Sequence, residues 1–167
     1  MRAHRSEKKA EEKLGGPGGL EFYIPKTYAV RVYHGVSTKK LVPAIPDMVF
    51  VHASHRQIVD FKQKNNFLQF VTRKKGGEAE CLVVPDGQMD DFIRVTANPD
   101  LDTVYFRPEE LNLEHGTRVR ILGGGLSGVT GVFMRVAGKR NRRVVVSLDG
   151  IICAVTQVCP DLIEVME

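Results

Sequence analysis

The sequence predicts an α+β N-terminal domain, an antiparallel sheet flanked by helices, followed by a small all-β barrel. Three observations carry this. Through residue 105, short apolar alternations interleave with amphipathic runs, in an order that pairs strands antiparallel instead of repeating βαβ units. Residues 106–114 (Phe-Arg-Pro-Glu-Glu-Leu-Asn-Leu-Glu) are polar and proline-bearing, the composition of a linker. Beyond them lie only short β-branched runs separated by Gly- or Pro-bearing turns. Five such strands in about 50 residues suggest a barrel, because a flat sheet of that size leaves exposed edges. The expected domains are 1–105 and 115–167, joined by 106–114.

In order along the chain, residues 1–13 read as a charged helix capped by Ser6, with Glu and Lys at salt-bridge spacings. The glycine-rich stretch 15–19 ends it. Residues 21–33 read as a strand, with Tyr28, Val30 and Val32 on one face and Ala29, Arg31 and Tyr33 on the other. The polar stretch 34–40 looks like a hairpin tip, and Met48–His52 like a second strand entered through Pro43 and Pro46. Ser54 and Gln57 form a capping-box pair for a helix that presents Ile58 and Phe61 and stops at Asn65 and Asn66. Residues 67–73 and 81–84 read as strands joined by a Lys-Lys-Gly-Gly turn. Asp86 is placed to cap a third helix, with Met89, Phe92 and Ile93 on its apolar side, ending at Asn98 and Pro99. In the C-terminal part the strands fall at 117–122, 132–136, 142–148, 151–156 and 162–165.

The chain of 167 residues is 43% hydrophobic and 26% charged, too apolar and too balanced for a disordered segment. It carries no apolar run long enough for a membrane helix and no signal-peptide pattern, so a cytoplasmic protein without membrane partners is expected. Its three cysteines, Cys81, Cys153 and Cys159, form no C-x-x-C pair and read as small buried hydrophobes. His52 and His55 lack a third candidate ligand, so no metal or other cofactor is expected. Ser54 and His55 are neighbours whose side chains do not face each other, and Asp90 and Asp91 read as a solvated helix face. No set of titratable groups points to an enzyme.

Gly123, Gly125 and Gly128 spell G-x-G-x-x-G after a strand, with Asp149 downstream in the place of an acidic ribose ligand. The helix that must receive the pyrophosphate is missing, because Val132–Val136 reads as a strand. These glycines are therefore expected to make a tight turn and a close strand approach. The net charge of +4 divides into 16 cations against 13 anions through Tyr105, and 8 against 7 afterwards. Arg73, Lys74 and Lys75 form one basic cluster, and Lys139, Arg140, Arg142 and Arg143 another. Each fits either a solvated hairpin tip or a contact with phosphate backbones.

Gly116-Thr-Arg-Val-Arg-Ile121, the turn through Gly128, and Val129-Thr-Gly131-Val132 together resemble a KOW motif, with Gly128 and Gly131 as its turn glycines. Val42-Pro-Ala-Ile-Pro-Asp-Met-Val-Phe-Val51 resembles the proline-flanked strand of the NusG N-terminal domain. Val83-Val-Pro-Asp-Gly-Gln-Met-Asp-Asp-Phe-Ile93 is similar to the start of that domain's last helix in the UpxY-type antiterminators of polysaccharide loci. The resemblance spans nearly the whole chain. It implies a non-catalytic transcription elongation or antitermination factor, with an SH3-like KOW barrel as its C-terminal domain. By the same resemblance, an apolar patch of Met48, Phe50, Phe70 and Val84 would dock on the clamp helices of the RNA polymerase largest subunit. For Phe50 and Val84 the core is an equal alternative. Arg56, at the start of the second helix, would face the cross-channel contact, and Lys39, Lys40, Arg73, Lys74 and Lys75 would follow DNA.

Three departures from the family pattern stand out. The family's first strand usually carries Trp-Tyr ahead of an arginine, whereas Met1-Arg2-Ala3 stands where that strand ends. Either the given sequence starts inside the strand or the sheet lacks it, and a bare edge would invite pairing into a dimer. Asp47 and Met48 replace the Gly-Tyr of housekeeping members, favouring the specialised branch. Asp149 occupies the turn where housekeeping barrels present an aromatic, which argues against binding Rho or a ribosomal protein. Two other readings remain open: an RNA-binding module of the ribosomal KOW kind using Lys139–Arg143, and a general NusG elongation factor.

Overall fold

The computed structural model describes residues 1–3, 6–148 and 151–166. Its elements run α1 (Glu7–Leu14), β1 (Glu21–Tyr23), β2 (Lys26–Tyr33), β3 (Val36–Pro43), β4 (Phe50–His52) and α2 (His55–Lys64). Then follow β5 (Thr72–Lys75), β6 (Glu78–Cys81), α3 (Asp86–Thr96) and β7 (Val104–Phe106). The last five strands are β8 (Thr117–Ile121), β9 (Thr130–Met134), β10 (Arg143–Leu148), β11 (Ile152–Thr156) and β12 (Ile163–Val165). They group into two compact units, one of Met1–Lys26 with Leu41–Val83, the other of Thr27–Lys40 with Val84–Glu167. The expected division at 106–114 differs from this grouping, because α3 and β7 both pack with the C-terminal strands.

In the first unit, β1 pairs antiparallel with β4. Met1–Ala3 is not helical, as the charge pattern suggested. Arg2 instead forms antiparallel bridges with both Met48 and Gln69. Its N–H donates to the Gln69 carbonyl at 2.7 Å, and the Gln69 N–H returns to Arg2 at 2.9 Å. Arg2 thus bridges two chain segments, those of Met48 and Gln69. The unit's core gathers Ala3, Ala10, Leu14, Ile24, Val49 and Leu68, with Phe22, Phe61 and Phe67 around them. Ser6 makes no side-chain capping bond to α1. At α2 the expected capping box is present, with Ser54 Oγ accepting from Gln57 N–H and the Gln57 side chain accepting from Ser54 N–H at 3.0 Å.

Burying Met1 has an electrostatic consequence. Its α-ammonium donates to the Val49 carbonyl, and burial, with Arg2 adding a smaller repulsion, lowers its pKa from 8.0 to about 6. The unfolded chain then binds more protons than the folded one between about pH 6 and pH 8, so this group makes stability rise with pH across that window. The expected gain is of order 2 kcal/mol, measured by urea denaturation at pH 6 and pH 8. An N-terminally acetylated chain, with no charge at that position, should lose the dependence. An unchanged slope after acetylation would assign it to other groups.

The expected strand over 21–33 breaks at Pro25, which has no N–H for a ladder. The expected hairpin tip at 34–40 shrinks to His34 and Gly35, whose φ angles of 48° and 78° suit a two-residue turn. Ser37 to Lys40 therefore continue as β3, paired only with β2. The next hairpin shifts likewise. Its turn is Gly76–Gly77, both at positive φ, and Arg73, Lys74 and Lys75 lie in β5 opposite Glu80, Ala79 and Glu78.

The second unit is built on a six-stranded antiparallel sheet in the order β12-β8-β9-β10-β11-β7. The expected barrel is met as far as that sheet, which has β12 and β7 as its end strands. Val145, Cys153 and Val155 pack with Val136, Phe106, Leu111, Leu113 and Met134 on one side. Alternate residues such as Val146 and Ala154 take the other side, and α3 packs against β10 and β11, which makes those two strands almost wholly buried. Phe92 and Val95 of α3 are fully buried, and the Asp91 carboxylate accepts from the Thr130 N–H and hydroxyl at 3.1 and 2.7 Å. Asp86 is the first residue of α3, following Pro85, and makes no capping bond. The 106–114 segment forms two short 3-10 turns, and its Leu111 and Leu113 belong to the core margin.

Of the cysteines, Cys153 is buried, and burial pushes its thiol up from the ordinary value. Cys81 is half-buried and Cys159 is exposed, because it sits in the turn before Pro160 and not on an inward strand face. No helix among the described residues is long and apolar enough to cross a membrane.

Candidate functional site

Four surfaces contain the residues singled out in the sequence. The first lies in the unit built on β1 and β4. Met48 is half-buried beside the bridge to Arg2. Phe70, half-buried just after the Gln69 bridge, stacks on His55 with ring centroids 5.9 Å apart and planes 17° apart. Lys62, two turns along α2, stands 5.7 Å from the same ring. Arg56, in the first turn of α2, is exposed. Phe50 is only 9% exposed, so its ring belongs to the interior of the unit and is not presented to a partner. Val84 falls in the other unit and is half-buried, while its neighbour Val83 is 82% exposed and was overlooked. The strand parity needed to tell those two apart is absent from the sequence, because 82–85 is irregular.

The other three surfaces carry cations. In the β5–β6 hairpin, Arg73 and Lys75 both approach Glu80 at 3.8 Å, leaving Lys74 without such a partner among the described residues. In the 139–143 cluster, Arg143 departs from expectation. Its side chain is 8% exposed and donates to Asp102 Oδ2 at 2.8 Å and to the Asp102 carbonyl at 3.1 Å. Lys139 lies 3.8 Å from the same carboxylate. Arg140 and Arg142 remain exposed, the latter 5.9 Å from the Phe133 ring. Asp102 is therefore a functional neighbour that sequence reading missed, 41 residues away from Arg143. On the β2–β3 ribbon, Lys39 lies 3.8 Å from the centre of the Tyr28 ring and 3.4 Å from Asp100, and Lys40 is exposed.

The turn glycines each have a physical reason. Gly128 has φ 86°, in the left-handed region. A Cβ on Gly131 would fall 2.7 Å from both the Val145 carbonyl oxygen and Val144 Cγ1. Gly124–Leu126 forms a single 3-10 turn, and the chain then enters β9. This replaces the phosphate-binding helix that G-x-G-x-x-G would require. Asp149 lies outside the described residues.

Met48 and Phe70 are thus half-exposed in the same unit as the exposed start of α2. The family described as transcription termination factor NusG matches residues 2–93. The chain belongs to the NusG family, whose members are non-enzymatic transcription elongation and termination factors that bind RNA polymerase. No curated protein matches it.

Proposed function

We propose that this chain is a transcription antitermination factor that docks on the clamp helices of the RNA polymerase largest subunit and suppresses pausing or termination. The observation that carries this reading is the family match over 2–93 together with Phe70. That ring is left half-exposed against His55 and Lys62, not closed into the core. Met48 extends the apolar surface of the same unit, and Arg56 offers a charged contact on α2. Residues 115–167 act in this reading as a KOW module of SH3-like type, with Gly128 and Gly131 shaping its β8–β9 connection.

One departure supports assignment to the specialised, polysaccharide-operon branch: Asp47 and Met48 stand where general factors carry Gly-Tyr. Asp47 holds φ 64°, a conformation that glycine adopts without strain. The Gly-Tyr of general factors at 47–48 thus fits the same backbone, and this chain departs from it by side-chain choice. Deletion of the gene should silence one operon and leave the cell viable. Loss of viability would instead identify a general elongation factor.

Docking is tested by capture of the full chain on immobilised polymerase clamp helices. Phe70→Ala and Arg56→Ala should each weaken capture, Phe70→Ala by about 30-fold if the ring fills a partner pocket. Because the contact is mainly apolar, binding should change little between low and high salt. Undiminished capture by both variants, or a steep salt dependence, would overturn the docking reading. The RNA-binding alternative is weakened by Asp102, which already engages two of the four cations it needs.

A further inference from the structure

The β2–β3 ribbon holds an unusual share of the protein's charge. Residues 26–43 contain Lys26, Arg31, Lys39 and Lys40 and no acidic residue. The remaining 149 residues carry 20 cations and 20 anions, so the whole net charge of +4 resides in this one hairpin. Ion pairs hold two of its cations, Lys26 to Glu11 and Lys39 to Asp100. Arg31 and Lys40 have no carboxylate partner among the described residues.

The ribbon's form matters as much as its charge. Two eight-residue strands meet at a two-residue turn, and among the described residues no third strand pairs with either. Residues 30–41 are exposed throughout, Val32 by 71% and Tyr33 by 74%. Alternation puts Tyr28, Val30 and Val32 on one face, and the contact of Lys39 with Tyr28 assigns Lys39 and Leu41 to it. The opposite face then presents Arg31, Tyr33, Val36, Thr38 and Lys40. That face combines two cations without carboxylate partners with the Tyr33 hydroxyl and Val36, while the Thr38 hydroxyl donates to the Arg31 carbonyl at 3.2 Å. An isolated two-stranded hairpin is marginal in water and gains from a partner that covers it.

We propose that the β2–β3 ribbon is a DNA-binding element that enters the major groove of duplex DNA. Arg31 and Lys40 engage phosphates at the groove edges, and Tyr33 and Val36 at the tip of the same face turn towards the bases. A B-form major groove, about 12 Å wide, accepts a two-stranded ribbon, whereas the major groove of A-form RNA is too narrow. The other basic clusters are less suited. Arg73 and Lys75 share Glu80, and Arg143 is buried on Asp102. The proposal extends the DNA contact expected for Lys39 and Lys40 and does not depend on docking to polymerase.

The test uses the full chain and a fluorescent 30-base-pair duplex of random sequence, read by anisotropy from 50 to 200 mM KCl without polymerase. With Arg31 and Lys40 on phosphates, affinity should fall about 12-fold over that range, and Arg31→Gln/Lys40→Gln should abolish most of that fall. Lys8→Gln/Lys13→Gln removes the same charge from exposed positions of α1, outside the ribbon, and should leave the affinity unchanged. Both variants alter exposed side chains, and unchanged thermal melting by circular dichroism checks that each folds. Single-stranded DNA and an RNA duplex should bind more weakly than duplex DNA. Equal loss in the two variants would reduce the effect to general electrostatics and overturn the proposal. Equal or tighter binding of RNA duplex or single strand would overturn the groove assignment, as would a ribbon variant that binds like the unmodified chain.

Discussion

Replacing Gly131 by alanine is expected to lower the stability of the β8–β12 unit by about 3 kcal/mol, at the upper end of overpacking costs. The added Cβ would sit 2.7 Å from the Val145 carbonyl oxygen, a backbone atom of the neighbouring strand. Val145 pairs with Val132 in the ladder, so β10 cannot yield without parting from β9. Val144, whose Cγ1 is also 2.7 Å away, is fully buried. The expected readout is a melting temperature about 10 °C lower. Gly125 is the matched control. Nothing lies within 4 Å of a Cβ there and its φ is not positive, so Gly125→Ala should stay within about 0.5 kcal/mol of the unmodified chain. If the two variants melt together, the close strand approach at Gly131 is not what holds the turn.

Removing the Asp102 carboxylate should cost about 2 kcal/mol. Arg143 sits at the start of β10 with its guanidinium inside the unit, and Asp102 supplies its charged partner at 2.8 Å. Deleting one member of a buried pair leaves the other charge desolvated, which costs about 3–5 kcal/mol in a fully enclosed site. Here Asp102 is itself two-thirds exposed, and water reaches the carboxylate. The penalty is reduced accordingly. Asp102→Ala should therefore destabilise clearly in urea titration, while Asp102→Ala/Arg143→Met, which removes both charges, should recover most of the loss. A single variant within about 0.5 kcal/mol of the unmodified chain would show that Arg143 finds its stabilisation elsewhere.

What was legible in the sequence follows the physics of local signals. The Ser54–Gln57 capping box predicts the start of α2 because its hydrogen bonds close within three residues. The runs at 143–148 and 152–156 are recognisable strands because burial on both faces fills them with β-branched and small apolar residues. Residues 36–40 are also a strand, yet both faces are solvated and no apolar alternation marks them. Only the His34–Gly35 turn chemistry could have revealed that pairing. Val83 is exposed in the irregular stretch 82–85, where no period of two assigns a face.

By itself the sequence determined the helices α2 and α3, the order of the strands β8 to β12, and the glycines that the β8–β9 connection requires, but neither β7 nor the separate strands β2 and β3. It also determined how much charge the chain carries. Tertiary structure alone decided which charges are spent. Asp102 neutralises Lys139 and Arg143 from about 40 residues away, Glu80 reaches across a hairpin to Arg73 and Lys75, and Asp100 pairs with Lys39 of the ribbon. It likewise decided that Met1–Ala3 bridges Met48 and Gln69 and that α3 packs on β10 and β11. The reason is common to all of these. Propensity, capping and periodicity act over a few residues, whereas an ion pair or a packed face depends on distances that exist only once the chain has folded.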